Sequence, residues 1–546
     1  MSQVFQKNKF VISSFVIVIV IGGMTFGNMS TPSTPTGIQV IAGTTFNFAD
    51  YPALTHEQIA IINYFDRLVT GQAYNLWDGW HAENYLWALQ YINAFLAYPF
   101  AGFCETTSGY RTAFYEDFAY SQIRRMNTTI AEYGNDSMEY YEWVSIPGFV
   151  DYYFPNATHP DGNDVYTGGF RGPANIMWTG HYALMLALYE RNFNFGTMES
   201  ELSSYIVDWE NSTTTDRLGS PKPGGLWGTG LIPCEPYVVF AQCNSIPIYT
   251  TELYDNMYGT TYMESGMWDY GLDFIEANIT DEYGLYTNGY FVQKPVGWGP
   301  NSGLLPQEIP GQAADHLAGG PSLSSYGTAW ALTFLEYTIP DITTPKYSTF
   351  LDFYGRDISG DTMYMLGSYK HPSSFGDIFG ILGTVFTMVL ANQRGDYHTR
   401  DRLSNLLQNM VNKVWSQDGR ELYYDGSSLD PFLSPVLSGF SVWSTLPVTV
   451  RDLADARPAE FWDYPFISAA DDDNIWVYQA HWDPIKSGFI LNIRVDDTAE
   501  LMFSNFNEIA TVYSGGVSIG NLVPVGSDYS LTLQPGTYQL IIMEGT

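Results

Sequence analysis

The chain has 546 residues, 45% hydrophobic and 16% aromatic, enough for a sizeable core and for a cavity walled by rings. Its net charge of −35 excludes a phosphate-tracking nucleic-acid binder and a basic patch for anionic membranes. Charged residues make up only 15%, which excludes a disordered acidic tail.

The first predicted element is the uncharged apolar run from Phe10 to Gly27, preceded by Lys7 and Lys9. Residues 1–27 read as a signal peptide or a membrane anchor with its N-terminus in the cytoplasm. The rest of the chain is then expected to be extracytoplasmic, secreted or held at a membrane through this segment only. Residues 28–50, rich in Ser, Thr, Pro and Gly at their start, read as a flexible linker. Six glycosylation sequons, at Asn28, Asn127, Asn135, Asn156, Asn211 and Asn278, fit that compartment. Three cysteines in this length mean that disulfides are not the main staple of the fold.

From residue 51 to residue 460 amphipathic helical patterns dominate. They include His56–Val69, Glu83–Phe95, Asn175–Glu190, Ile246–Tyr258, Tyr326–Tyr337, Phe375–Asn392 and Thr399–Val414. Long loops rich in Gly, Pro and aromatics separate them, notably Val144–Pro173, Gly219–Pro236 and Lys294–Pro321. Helical pairs joined in this way predict a mainly α fold, an α/α barrel in which helical hairpins close into a toroid. From 465 to 546 the texture changes to short β-branched and aromatic runs. These are Ile475–Ala480, Gly488–Val495, Glu500–Ser504, Ala510–Tyr513, Tyr529–Leu533 and Tyr538–Met543, punctuated by Gly, Asp, Asn and Pro. They predict a small antiparallel β-sandwich serving as an accessory domain.

Chemistry-bearing residues are sparse. Cys234 and Cys243 lie nine residues apart in a Pro- and aromatic-rich run, a spacing that suits paired thiol acid–base chemistry, a disulfide, or two buried thiols. His181 falls in the first turns of a helix, as an acid–base group or as a satisfied core histidine. Asp66 sits among apolar residues, where its pKa tends to rise, or else pairs with Arg67. Tyr91 and Tyr326 are tyrosines on helices, a type usually used in packing. The eight histidines form no metal-ligand pattern and no phosphate-cradling glycine loop is present. Chemistry without a cofactor or metal is expected. Gly516-Val-Ser-Ile-Gly520 matches a nucleophile elbow by spelling, but no helix follows it, so it reads as a turn.

Asn175-Ile-Met-x-x-Gly-His181, Cys234-Glu-Pro-x-x-x-Phe-x-x-Cys243-Asn-Ser, Tyr254-Asp with the later Gly259-Thr, Asp273-Phe-Ile and Tyr326-x-Thr-Ala-Trp330 together resemble the linalool dehydratase-isomerase family. Asn63-Tyr-x-Asp66 and Tyr91-x-x-Ala-Phe add weaker matches, and the order agrees from about residue 56 to about residue 450. The resemblance implies a cofactor-free hydro-lyase and isomerase of small monoterpene-like allylic alcohols, working in an apolar cavity of a ring-shaped oligomer. It implies active-site roles for Asp66, His181, Cys234 and Cys243, with Tyr91, Tyr326, Met177 and Glu235 against the substrate. By the same resemblance the aspartate reaches the cavity from a neighbouring subunit. The family's cavity tyrosine after the aspartate is supplied by Tyr74 if two residues are inserted here, and its next cysteine has no match. Two other classes fit the composition: a carbohydrate-active α/α barrel using paired carboxylates, and a surface protein that binds without turnover.

Overall fold

Thr55 opens the first long helix with a capping box: its hydroxyl accepts from Gln58 N at 3.2 Å and Gln58 Oε1 accepts from Thr55 N at 2.7 Å. The helix then runs His56–Val69, as its periodicity predicts. The computed structural model describes residues 37–82, 86–141, 175–216, 218–234, 238–287, 289–292, 312–313, 324–367 and 378–545. The apolar run Phe10–Gly27 lies outside them. Among the described residues no helix is long and apolar enough to cross a membrane.

Six helices, labelled here as the ring helices, are α1 (Leu89–Thr106), α2 (Ile176–Phe193), α3 (Ala241–Tyr258), α4 (Ser325–Thr338), α5 (Ile378–Gln393) and α6 (Leu433–Trp443). Each packs on the next, and α6 packs back on α1, so they close a ring. An outer layer covers them: Ala113–Met126 lies on α1 and α2, Glu199–Thr214 on α2, Pro340–Tyr354 on α4, and Tyr397–Met410 on α5. His56–Val69 bridges α6 and Ala113–Met126. The layers explain the sequence texture. In α2 nearly every residue is buried, as expected for a helix packed on all sides. The outer helix His56–Val69 keeps Asn63, Asp66 and Arg67 on its open face.

The first four ring helices share one direction. Tyr91, the third residue of α1, touches Met177, the second of α2. Gly180 of α2 comes so close to α3 that a Cβ there would lie 3.3 Å from Pro247 Cδ. Gly327 of α4 approaches Gln242 of α3 just as tightly. Positions near the N-terminus of each of these four helices meet their counterparts, so their N-termini gather at one mouth of the ring. Of the long loops of the sequence, most of Gly219–Pro236 is described; all of Val144–Pro173 and nearly all of Lys294–Pro321 lie outside the described residues.

The C-terminal region is two antiparallel sheets. One orders Phe466–Ala470, Ala499–Ser504, Asp528–Leu533 and Val523–Val525; the other orders Ile475–Asp483, Gly488–Val495, Gly536–Glu544, Ala510–Ser514 and Val517–Asn521. Phe489 and Phe503 join them edge to face at 5.6 Å, so the two sheets share a buried layer. Gly516, with φ of +78°, turns the chain into the strand Val517–Asn521, so the run read as a turn is one turn residue followed by a strand paired with Ala510–Ser514. The sheets are tied to the helices by the exchange Arg111 N to Ile467 O at 2.9 Å and Ile467 N to Gly109 O at 2.8 Å. One apolar core runs through both regions.

Three boundaries differ from the sequence reading. Part of the expected linker 28–50 is ordered: Ile38–Ile41 pairs with Thr44–Asn47, and Phe46 and Phe48 are fully buried against Ile490, Ile541 and Met543. Apolar residues beyond Gly37 override the flexible composition before them. The helix expected over Thr399–Val414 stops at Met410, because Asn412–Trp415 is a strand paired with Leu422–Asp425. A turn with Gly419 at φ of +73° folds that β-branched and aromatic segment back on itself. The helix expected over Glu83–Phe95 starts at Leu89 and continues through Pro99 to Thr106.

Candidate active site

Aromatic side chains from all six ring helices meet in the middle of the ring, and His181 stands among them. Its imidazole lies 5.6 Å from Tyr91, 5.3 Å from Phe95 and 5.3 Å from Trp330 between ring centroids. Phe386 of α5 stacks on Trp330 at 5.5 Å, and Phe440 of α6 meets Phe386 at 4.7 Å. Tyr98 packs against Trp443 and Phe334, and Phe334 meets Tyr249 of α3 at 5.6 Å. The helical stripe Tyr91, Phe95, Tyr98 supplies α1's share, and the pair Met177 and His181, four residues apart, supplies α2's.

The imidazole is buried. Its Nδ1 lies 2.5 Å from the Tyr98 hydroxyl. Burial lowers its pKa to about 3, and among the described residues no carboxylate opposes that. His181 is therefore neutral at ordinary pH and a poor proton donor. Burial also pushes the Tyr98 phenol well above its usual value, so this pair is a neutral hydrogen bond. Two polar groups nearby are buried and, among the described residues, have no hydrogen-bond partner: the Trp330 indole N–H, and both amide atoms of Gln90, beside Tyr91. Unsatisfied buried polar atoms of this kind usually mark a place where water or a ligand binds.

The cysteine segment is fixed against the same mouth. Ile176 N at the start of α2 donates to Pro233 O at 3.0 Å, which sets Cys234 beside that helix end. Cys234 N donates to Val238 O at 2.8 Å, closing a tight loop. Asn244, fully buried and next to Cys243, accepts from Ile232 N at 2.9 Å and donates to Ile232 O and Phe240 O at 3.0 Å each. The two cysteine-bearing stretches are thus pinned to each other through one amide. Both cysteines are buried thiols, as is Cys104, so the disulfide alternative does not describe this state.

The remaining expected residues fall in several places. Tyr91 is at the mouth, its hydroxyl donating to Met177 Sδ. Tyr326, the second residue of α4, is partly buried against the core, next to the Gly327–Gln242 approach. Glu235 lies outside the described residues. Tyr74 lies away from the ring, with the Arg124 guanidinium 5.7 Å over its ring. Asp66 sits on the outer helix in a cleft of about 280 Å³ that also holds Asp472, Glu421 and Tyr110. Neither His181 nor the cysteines line that cleft. Within one chain, then, Asp66 does not join the histidine cluster, and Arg67 pairs with Glu421 rather than with it. Burial raises the Asp66 carboxyl, opposed by the Thr70 hydroxyl bond at 2.6 Å. Asp472, to which the Tyr110 hydroxyl donates, is raised to about 6 by burial and by Asp473 and Asp66.

Sequence reasoning missed Tyr98, Gln90 and Asp472. Tyr98 was findable as the third member of the Tyr91 stripe. Asp472 was not, because its partner Tyr110 is 362 residues away in the chain. Among the described residues no three His, Cys, Asp or Glu side chains are grouped as metal ligands. Of the sequons, Asn135, Asn211 and Asn278 are exposed, whereas Asn127 spends its amide on the Tyr182 hydroxyl at 2.8 Å.

In class, this is a mostly helical protein with a closed helical ring, a buried neutral histidine inside it, two buried cysteines near its mouth, and an antiparallel sheet region at its C-terminus. Residues 227–304, which span both cysteines, match the family model of linalool dehydratase/isomerase, in line with the resemblance read from the motifs. Among solved structures, the chain is similar to a family 105 glycoside hydrolase of C. acetobutylicum ATCC 824, at 12% identity and a TM-score of 0.41, covering 73% of this chain and 98% of that one. It is also similar to a GH127 beta-L-arabinofuranosidase of Geobacillus stearothermophilus T6, at 11% identity and a TM-score of 0.36, covering 89% and 79%.

Proposed function

We propose that this chain is a cofactor-independent hydro-lyase and isomerase of a small isoprenoid allylic alcohol, acting at the mouth of an α/α barrel that spans about residues 51–460. The observation that carries the reading is the aromatic enclosure of a neutral His181, beside the clamped Cys234–Asn244 segment that falls within the family match. Dehydration moves one proton to the leaving hydroxyl and removes one from the carbon next to the allylic cation. Water departs, and nothing is oxidised or reduced. Ring faces stabilise the developing positive charge while excluding solvent.

In this reading Trp330 Nε1–H and His181 orient the hydroxyl, with Tyr91 and Tyr326 beside it. His181 gives no proton, because its imidazolium is too costly where it stands. Cys234 and Cys243 exchange the carbon-side proton. Asp66 protonates the hydroxyl only if a second copy of the chain brings its outer helix to the mouth, as the resemblance implies. The C-terminal sheets, from about residue 465, are an accessory domain, and an N-terminal anchor or signal places the whole outside the cytoplasm. The test is a panel of isoprenoid alcohols and alkenes, incubated with the full-length chain under reducing conditions and analysed by gas chromatography. Absence of any alkene or rearranged alcohol across the panel sinks the proposal.

One observation favours a second reading. The cleft with Asp66 and Asp472 pairs carboxyls with raised pKa values, which suits a glycosidase acid. That reading requires Asp472→Asn to abolish hydrolysis of a chromogenic glycoside and the cysteines to be dispensable.

A further inference from the structure

Away from the mouth, a cavity of about 190 Å³ lies where the C-terminal ends of α1 and α2 meet the segment 456–465 and the sheet region; Glu105, Ser108, Arg111, Arg191, Arg457 and Trp482 line it. Three guanidinium groups face a single carboxylate. Arg191 Nη1 and Arg457 Nη2 both bind Glu105 Oε2, at 2.7 and 2.8 Å. Arg191 is otherwise occupied by the carbonyls of Asp455 and Asp452, at 2.8 and 3.3 Å.

Arg111 is different. Among the described residues it has no carboxylate partner. Its Nη2 donates to the carbonyls of Tyr464 and Phe461, at 3.0 and 3.4 Å, and its guanidinium lies over Phe466 and Phe461, at 4.0 and 4.5 Å. The Nε atoms of Arg111 and Arg457 are buried with no acceptor among the described residues, and the Arg457 side chain is only 7% exposed. His481, which reaches Ser108 Oγ at 3.3 Å, adds no charge at neutral pH because burial lowers it to about 4.

Among the described residues the cavity lining therefore carries three positive charges against one negative, in a chain whose net charge is −35. Burying a guanidinium that lacks a carboxylate, as at Arg111, is expensive, and an anion accepting from the idle N–H groups of Arg111 and Arg457 would relieve that cost. Guanidinium forks match the planar or tetrahedral oxygens of carboxylate, sulfate and phosphate. We propose that this cavity is a binding site for a small oxyanion, held by Arg111 and Arg457 with the Ser108 hydroxyl, while Arg191 keeps Glu105 engaged. The ligand would join the ring helices to the sheet region.

The test is isothermal titration of the full-length chain with sodium phosphate, sodium sulfate and sodium acetate, each against sodium chloride at matched ionic strength and pH 7. The expected result is saturable one-to-one binding of at least one oxyanion, on the order of millimolar or tighter, with no saturation by chloride. Phosphate or sulfate alone identifies a tetrahedral ligand; acetate identifies a carboxylate. Arg111→Gln should weaken binding at least tenfold, and Arg494→Gln, an exposed residue of the strand Gly488–Val495, should leave it unchanged. No saturable binding of any of the three, or equal affinity in Arg111→Gln, overturns the proposal. The wild-type isotherms decide it even if Arg111→Gln fails to fold. No turnover is read, so the result is independent of the isoprenoid chemistry.

Discussion

Replacing His181 by Asn should remove a specific part of the protein's acid sensitivity. In the folded chain His181 is fully enclosed with a pKa of about 3, whereas an unfolded histidine titrates near 6.5. Between those values the unfolded state binds a proton that the folded state refuses, so stability falls as pH drops below about 6.5 and goes on falling towards 3. Each pKa unit is worth about 1.4 kcal/mol, so going from pH 7 to pH 4.5 costs about 2.5 kcal/mol through this residue alone. His481, lowered to about 4, adds a loss over the same range, and Asp472, raised to about 6, offsets part of it. Both are present in the variant as well, so they cancel in the difference. Asn keeps a polar group near the Tyr98 hydroxyl and does not titrate. Urea unfolding of both chains at the two pH values measures the effect. The variant should lose about 2.5 kcal/mol less than the wild type. Equal losses would mean that the imidazole protonates in place, and the picture of a dry, isolated histidine would be wrong.

Other outcomes follow from particular contacts. Tyr98→Phe leaves His181 Nδ1 without its partner at 2.5 Å; it should cost about 1–3 kcal/mol in urea unfolding and lower turnover. Asn244→Ala removes three buried hydrogen bonds at once; a loss of at least about 2 kcal/mol is expected, with turnover falling further than in a surface variant of equal stability. Phe46→Ala should cost about 3–5 kcal/mol in urea unfolding because its ring is fully buried, whereas a flexible linker would not notice the change. Asp472→Asn should leave isoprenoid turnover intact, and loss of that activity would place the chemistry in the outer cleft.

What the chain declares in advance depends on how local its signals are. The capping box at Thr55 and the periodic face of His56–Val69 are local, and that helix appears with its predicted bounds. The six strand runs read after residue 465 all appear, because alternation and turn residues are local too. Val517–Asn521 and Val523–Val525 are exposed edge strands with little apolar alternation, and they were not foreseen. Leu433–Trp443 is masked by Pro435 and its serines, yet it closes the ring, because burial on both sides outweighs its weak propensity. The candidate site shows the same division. His181 and the cysteine pair stand out by motif. The clamp by Asn244, the Tyr98 partner and the outer position of Asp66 are tertiary facts that spacing does not encode.

The most direct measurement is turnover of an isoprenoid allylic alcohol by the full-length chain under reducing conditions, comparing the wild type with Cys234→Ala and Cys243→Ala. A wild-type product that disappears in both variants, while their urea midpoints stay close to the wild type, is the predicted result. Full activity in both variants, or no product from the wild type across the panel, contradicts it.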